Sequence, residues 1–260
     1  MGRSYMKIGC LLSVREKATR FPKKVLQNIN GYTVTECLLK RLSLTKNIDQ
    51  IIVSTSTNPG DEVLVQLAEA NGFSAFRGSE EDKLARYYQT ALHYNLDAVV
   101  IVDGDDLLCF PEGIDLIAQE LRLDIAECIY LESLPLGAAS TGLTIKALEK
   151  VISLKDENDT EVWGGYFIGS GYFKTKSLAM QDKIFNHPEI RLTLDYEEDY
   201  NFLKAVFSYF NCIDFTSYEL MDLLINIKPE LVKINEVAQK KYEQHIANAA
   251  AVKFKTLEEV

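Results

Sequence analysis

The sequence predicts an α/β protein built on a doubly wound, mostly parallel sheet. Three observations predict it. Short apolar runs alternate with segments of helical periodicity across the first 120 residues. The run Ala98 to Val102 is apolar at every position, as in a strand covered on both faces. Strongly charged segments follow two of the runs directly, where ligands sit beyond the carboxyl ends of strands in such sheets.

The elements follow in order. Lys7 to Val14 reads as a short buried strand, and Thr35 to Thr45 as a helix carrying Cys37, Leu38 and Leu42. Gln50 to Thr57, rich in Ile, Val and Thr, is a second strand. Pro59 opens the next helix with Asn58 as cap, and Asn71-Gly72 ends it. Phe73 to Phe76 is a short third strand. Glu81 to Tyr94 is an amphipathic helix with Leu84, Tyr87, Tyr88, Ala91 and Leu92 as its apolar stripe. Pro111 opens a helix after the strand at Ala98. Beyond it, Glu127 to Glu132 reads as a strand and Ile145 to Leu154 as a helix. Asn158 to Phe173 mixes Gly and aromatics, as strands or as an irregular arm. Its aromatics Trp163, Tyr166, Phe167, Tyr172 and Phe173 suit core or subunit-interface packing. Asp195 begins a helix running to Phe210, and Ser217 to Ile227 and Glu230 to Ala251 are further helices.

A chain of 260 residues fits a single domain spanning 1–260 with no disulfide needed to hold it. Five widely spaced cysteines, an odd count without a CxxC pair, read as free thiols in a reducing compartment. The net charge of −10 argues against a nucleic-acid or membrane-surface binder. No signal peptide, myristoylation site or apolar run of membrane-spanning length is evident, so a soluble cytoplasmic protein is expected.

Three groups can carry chemistry. Arg15, Lys17, Arg20, Lys23 and Lys24 place five positive charges in ten residues just after the first strand. Such a loop suits a nucleoside triphosphate, with Arg as a planar multidentate donor and Lys as a point charge. Neither GxxxxGK[ST] nor GxGxxG is present. Asp103, Asp105 and Asp106 follow the buried strand, and hard oxygen ligands there suit Mg²⁺ bridging phosphates; an Asx-type turn is the plainer reading. Asp195 reads by itself as a helix cap, with Glu198 closing a capping box. His93, His187 and His245 have no partner at ligand spacing and are read as non-catalytic.

Four segments together resemble the cytidylyltransferases that make CMP-activated sugars, including the CMP-3-deoxy-manno-octulosonate and CMP-acylneuraminate synthetases. The likeness extends to the cytidylyltransferase-like proteins of spore-coat polysaccharide synthesis. Arg15, Arg20, Phe21, Pro22 and Lys24 resemble RxxSxRLPxKxL. Val53 to Thr57 with Asp61 resemble the second-strand signature. Phe76 to Gln89 resemble FRGSEDDVLDRYYQ, and Arg191 to Asp199 resemble RLTVDYPEDL. The resemblance implies a Rossmann-like fold of the nucleotide-diphospho-sugar transferase type. It implies that Arg15 and Lys24 bind the triphosphate and stabilise charge at the α-phosphate, with Arg20 in support. It places Ser79 and Arg86 near nucleotide or acceptor, and makes Asp105 and Asp195 the ligands of Mg²⁺. The partners implied are CTP and an acidic sugar or phosphate-bearing acceptor, with a dimerisation arm within 125–180, C-terminal helices at 217–251 and a homodimer. Lys17 and Ala18 stand where the family has Gly and Ser, and Glu161-Val162-Trp163 where relatives carry a His-containing acceptor motif. Two other readings compete. Asp103-Gly104-Asp105 is a DxD triplet of the kind glycosyltransferases use, and the altered loop suits a nucleotide-binding relative without activity.

Overall fold

The computed structural model describes residues 5–18, 20–246 and 252–255. The chain runs β1 (Ile8–Ser13), β2 (Asn28–Ile29), β3 (Tyr32–Thr33), α1 (Val34–Leu42), β4 (Gln50–Ser56), α2 (Glu62–Ala70), β5 (Ser74–Gly78), α3 (Lys83–His93) and β6 (Ala98–Asp103). It continues α4 (Pro111–Leu121), β7 (Cys128–Leu131), β8 (Thr141–Thr144), α5 (Ile145–Leu154), β9 (Thr175–Leu178), α6 (Glu197–Phe210), α7 (Ser217–Asp222) and α8 (Glu236–Ile246). Seven strands form one sheet in the order β5-β4-β1-β6-β8-β7-β9, and β2 and β3 make a separate antiparallel ribbon. Among the described residues, only β8 runs against its neighbours in the large sheet.

The apolar runs are buried because helices cover both faces. Ile8, Cys10 and Leu12 of β1 join Ala98, Val100 and Val102 of β6 in one core, with residues of α1, α4 and α6. Leu11, Val99 and Ile101 point the other way, against Leu84, Tyr87 and Ala91 of α3 and Ala147, Leu148 and Val151 of α5. The period of two survives inside runs with no polar residue. Gly9 belongs to the second face; a Cβ there would lie 2.4 Å from the Leu96 side chain.

The chain leaves β1 for β4 and β5 on one side and for β6 on the other. The strand order therefore reverses between β1 and β6, which pair in register from Ile8–Ala98 to Ser13–Asp103. The crevice at such a reversal is where this class of sheet binds ligands, and the basic and acidic segments both begin there.

Several expectations shift. The ribbon β2–β3 and the strands β8 and β9 are additional to the predicted elements. The arm at 158–173 is irregular, with one 3₁₀ turn at Gly164–Tyr166 rather than strands. Trp163, Tyr166, Phe167 and Phe173 pack into the second core, whereas Tyr172 is exposed. The helix predicted from Asp195 starts at Glu197, and the one predicted over 217–227 ends in a π turn, Leu223–Ile227. The predicted helix from Glu230 is a 3₁₀ segment, Pro229–Lys233, followed by α8; its end at 247–251 lies outside the described residues. The side chain of His245, Thr19 of the basic loop and residues 1–4 also lie outside them. Among the described residues, no helix is long and apolar enough to cross a membrane.

Candidate active site

The loop after β1 is tied down before it reaches its charges. Asp61 is buried, and its carboxylate accepts from the Glu16 amide (2.7 Å) and from the hydroxyl and amide of Ser56. One acid thus fixes the basic loop to the carboxyl end of β4. At Lys23 the backbone turns left-handed (φ 55°), an uncommon conformation for a residue with a side chain. Lys17 and Lys23 point outward and are largely exposed, while Lys24 turns inward.

Lys24 is where the separate segments meet. Its ammonium donates to Asp105 Oδ2 (2.8 Å), to Asp195 Oδ1 (3.0 Å) and to the Leu194 carbonyl (2.7 Å). Asp105 follows β6 and Asp195 precedes α6, and the Leu194 amide donates back to the Asp105 carbonyl at 2.9 Å. Arg20 reaches the same carboxylate oxygen of Asp195 at 2.6 Å. Burial works against the charge on Lys24, yet the two carboxylates outweigh it and raise its pKa. Burial likewise opposes ionisation of Asp105, and Lys24 overrides it, so its pKa is lowered.

Asp195 does not cap α6. The cap position is Tyr196, and Asp199 accepts from the amides of both Asp195 and Tyr196. Glu198, expected to close a capping box, instead pairs with Lys241. Asp199 is held by the Arg191 guanidinium and by Asn235, so it is committed to structure. The Asp195 carboxylate is left to face Arg20, Lys24 and Arg191.

The acidic turn after β6 is close-packed. A Cβ on Gly104 would lie 2.6 Å from Val14 Cγ2, so a glycine is what lets this turn press against the end of β1. Asp106 is pushed well above the ordinary carboxylate range by burial and by Asp105 and Asp103. Asp103 is raised by burial, with Lys83 opposing. Three carboxyl groups thus crowd one turn and resist ionising together, a repulsion that an added cation would relieve. Among the described residues, no group of three or more His, Cys, Asp or Glu gathers as a ready metal cage. Asp105 and Asp195 nevertheless fit a divalent ion. Both are hard oxygen donors, come from separate segments, and already converge on one ammonium, with substrate oxygens and water able to complete the shell.

On the other side of the turn, Arg15 donates to the Glu80 carbonyl (2.7 Å) and to Glu161. Lys83, the first residue of α3, contacts Glu161 Oε1 at 3.0 Å and Asp103 Oδ1 at 3.5 Å. Ser79 and Arg86 support this region from within. The Ser79 hydroxyl accepts from the Asp82 amide; Arg86 is wholly buried and donates to the Ser79 carbonyl and to Ser13 Oγ. His93 lies against Phe76 and Tyr94, and His187 pairs with Glu189, both away from these groups.

The same charged segments fall within a recognised family. A family model described as cytidylyltransferase matches residues 10–228. This chain belongs to the cytidylyltransferase family. Among the cytidylyltransferase's curated relatives, an uncharacterized protein of Methanocaldococcus jannaschii is 30% identical over 92% of this chain and 99% of its own length. The spore coat polysaccharide biosynthesis protein SpsF of Bacillus subtilis is 25% identical over 76% of this chain and 85% of its own. A solved cytidylyltransferase from Leptospira borgpetersenii superposes with a TM-score of 0.80 at 27% identity, covering 88% of this chain and 97% of that one. The CMP:2-keto-3-deoxy-manno-octonic acid synthetase solved with CTP shares the fold, at a TM-score of 0.61 and 13% identity over 78% of this chain and 99% of its own.

Residue patterns alone assigned no role in the site to Lys83, Glu161, Arg191 or Asp199 of this cytidylyltransferase. One signal was available. Lys83 sits four residues before Tyr87 on the same face of α3, so a charge stands at the head of an apolar stripe.

Proposed function

We propose that this cytidylyltransferase transfers CMP from CTP to an acidic sugar or a phosphate-bearing acceptor, releasing pyrophosphate, in surface glycan or polysaccharide biosynthesis. The observation that carries the reading is the meeting of Asp105 and Asp195 on the Lys24 ammonium at the end of a basic loop.

In the proposed reaction an acceptor oxygen attacks the α-phosphorus, a P–O bond forms, and the bond to the β-phosphate oxygen breaks with pyrophosphate leaving. Transfers of this kind depend on positioning and charge neutralisation. Arg15 and Lys24 hold the triphosphate and offset charge at the α-phosphoryl oxygens. Arg20 orients Asp195 through their 2.6 Å contact. Ser79 and Arg86 shape the floor beside nucleotide or acceptor through their bonds to the ends of β5 and β1. Asp105 and Asp195 would hold Mg²⁺, which supplies electrostatic stabilisation to the transferring phosphoryl group. Asp61 positions the loop through the Glu16 amide.

The reading includes a cytoplasmic homodimer formed through the arm at 158–173. Val162 (64% exposed), Ile168 (40%) and Tyr172 (43%) support it, as apolar residues left outside the core.

Pyrophosphate release from CTP, UTP, ATP and GTP, against acidic sugars and phosphate monoesters, tests the proposal. Release with CTP and one acceptor is expected. Sugar transfer from UDP- or GDP-sugars, with no pyrophosphate from any triphosphate, would replace it with the glycosyltransferase reading.

A further inference from the structure

Glu161 makes a contact that its position does not call for. It lies on the irregular arm between α5 and β9, and its side chain is 52% exposed. Yet its two carboxylate oxygens divide between two cations from other segments. Oε2 accepts from Arg15 Nη2, and Oε1 lies 3.0 Å from Lys83 Nζ.

The two cations are built in more firmly than the acid. Lys83 is buried, with only 11% of its side chain exposed, and Arg15 is held by the Glu80 carbonyl. Lys83 is also the first residue of an 11-residue helix, where the macrodipole already favours anions and disfavours cations. Its other acid, Asp103, is more distant at 3.5 Å. Burial opposes the charge on Lys83, and Asp103 and Glu161 among others outweigh it, so the amine stays protonated. Without Glu161, the Arg15 guanidinium would keep the Glu80 carbonyl and Lys83 the more distant Asp103, while Asp82 caps the helix itself.

The arm is anchored on both sides of Glu161, by Thr160 before it and by Trp163, which packs into the second core, after it. Thr160 is buried and fixed, its amide on the Glu81 carbonyl and its hydroxyl between Asp82 and the Leu84 amide. Val162, on the other side of Glu161, is 64% exposed. A change of the Glu161 side-chain rotamer therefore leaves both anchors undisturbed.

We propose that Arg15 and Lys83 form a two-cation oxyanion subsite, which the Glu161 carboxylate closes in the ligand-free protein and vacates when a phosphate or carboxylate group of a substrate enters. The paired oxygens of Glu161 stand in for two oxygens of that group. The subsite deepens the proposed cytidyl transfer, and the identity of the entering substrate rests on that reading. The entering group belongs either to the nucleotide's phosphates or to the acidic end of the acceptor.

The test is calorimetric titration of the full chain with inorganic phosphate, in the absence and presence of saturating CTP. Glu161→Gln keeps the shape and removes the competing charge. If the closed state holds nine molecules in ten, phosphate affinity rises roughly tenfold in this variant. Adding Lys83→Met, or Arg15→Gln as an independent second variant, abolishes the gain, with thermal melts confirming that each protein is folded. CTP that displaces phosphate identifies the nucleotide as the source of the oxyanion. Phosphate that binds together with CTP, with the same gain in Glu161→Gln, identifies the acceptor. Phosphate affinity in Glu161→Gln within about twofold of wild type overturns the subsite, as does a gain that survives both second variants. None of these readouts needs turnover. A phosphate gain in a protein that never turns over CTP would keep the subsite and remove the proposed reaction.

Discussion

Replacing Lys24 by methionine removes the group on which the two halves of the site converge. Its side chain is 13% exposed and faces carboxylates that are 26% exposed on Asp105 and 4% on Asp195. Removing one partner of a fully buried pair costs about 3–5 kcal/mol, and an exposed pair contributes about 1 or less. The intermediate burial here places Lys24→Met near ~3 kcal/mol, a fall in Tm of roughly 6–12 °C for a chain of this size. The cost arises because Asp105 loses its ammonium partner and Asp195 is left with Arg20 and Arg191. A divalent cation should relieve it. In differential scanning calorimetry, millimolar Mn²⁺ or Mg²⁺ should restore much of the lost Tm in Lys24→Met and move the wild type less.

The pH dependence follows from the two shifts. Asp105 is lowered, so its stabilisation is present above the ordinary carboxylate pKa and fades as pH falls through the folded value. Lys24 is raised, so its stabilisation is present below its ordinary value near ~10.4 and fades as pH rises through the folded value. The gap between wild type and variant should be widest between those limits and narrow at both ends. A Lys24→Met protein with wild-type Tm in EDTA, or one whose Tm ignores metal, would refute the convergence of charges described.

Other perturbations read other parts of the site. Asp61→Ala leaves the Glu16 and Ser56 amides without their buried acceptor; a loss of about 2–3 kcal/mol in denaturant melts and a rise in KM for CTP are expected. Gly137 has φ +93°, and a Cβ there would lie 2.5 Å from the Thr193 amide nitrogen. Gly137→Ala should therefore cost about 2–3 kcal/mol and weaken metal-dependent activity by displacing the segment that carries Asp195. Light scattering on Val162→Asp should show a monomer if the exposed arm forms the homodimer interface.

Much of the fold was legible because parallel strands covered on both faces leave unbroken runs without polar residues, as at Ile8 to Leu12 and Ala98 to Val102. The far side of the sheet was harder to read. Strand β8 is four residues, Thr141–Thr144, and includes Gly142, whose Cβ would meet Ile117 Cγ2 at 2.4 Å. Its antiparallel place is fixed by packing against α4, which no local pattern encodes. Arg15 and Asp105 were visible because they closely follow strands, and Lys24 because it ends the same run of basic residues. Asp195 was visible only in part. Local spacing made it a helix cap, and the tertiary contact between Arg191 and Asp199 is what frees it. Glu161 carries no local signal for its ion pairs, since Arg15 is 146 residues away in the chain.

The most direct measurement is metal-dependent pyrophosphate release from saturating CTP by wild type, Asp105→Asn and Asp195→Asn, with an acceptor that the panel identifies. Each carboxamide keeps the size of the side chain and removes one negative charge. The expected result is a loss of at least about a hundredfold in kcat for each variant, with circular dichroism unchanged. Wild-type turnover in either variant would contradict a centre built on these two carboxylates around Lys24.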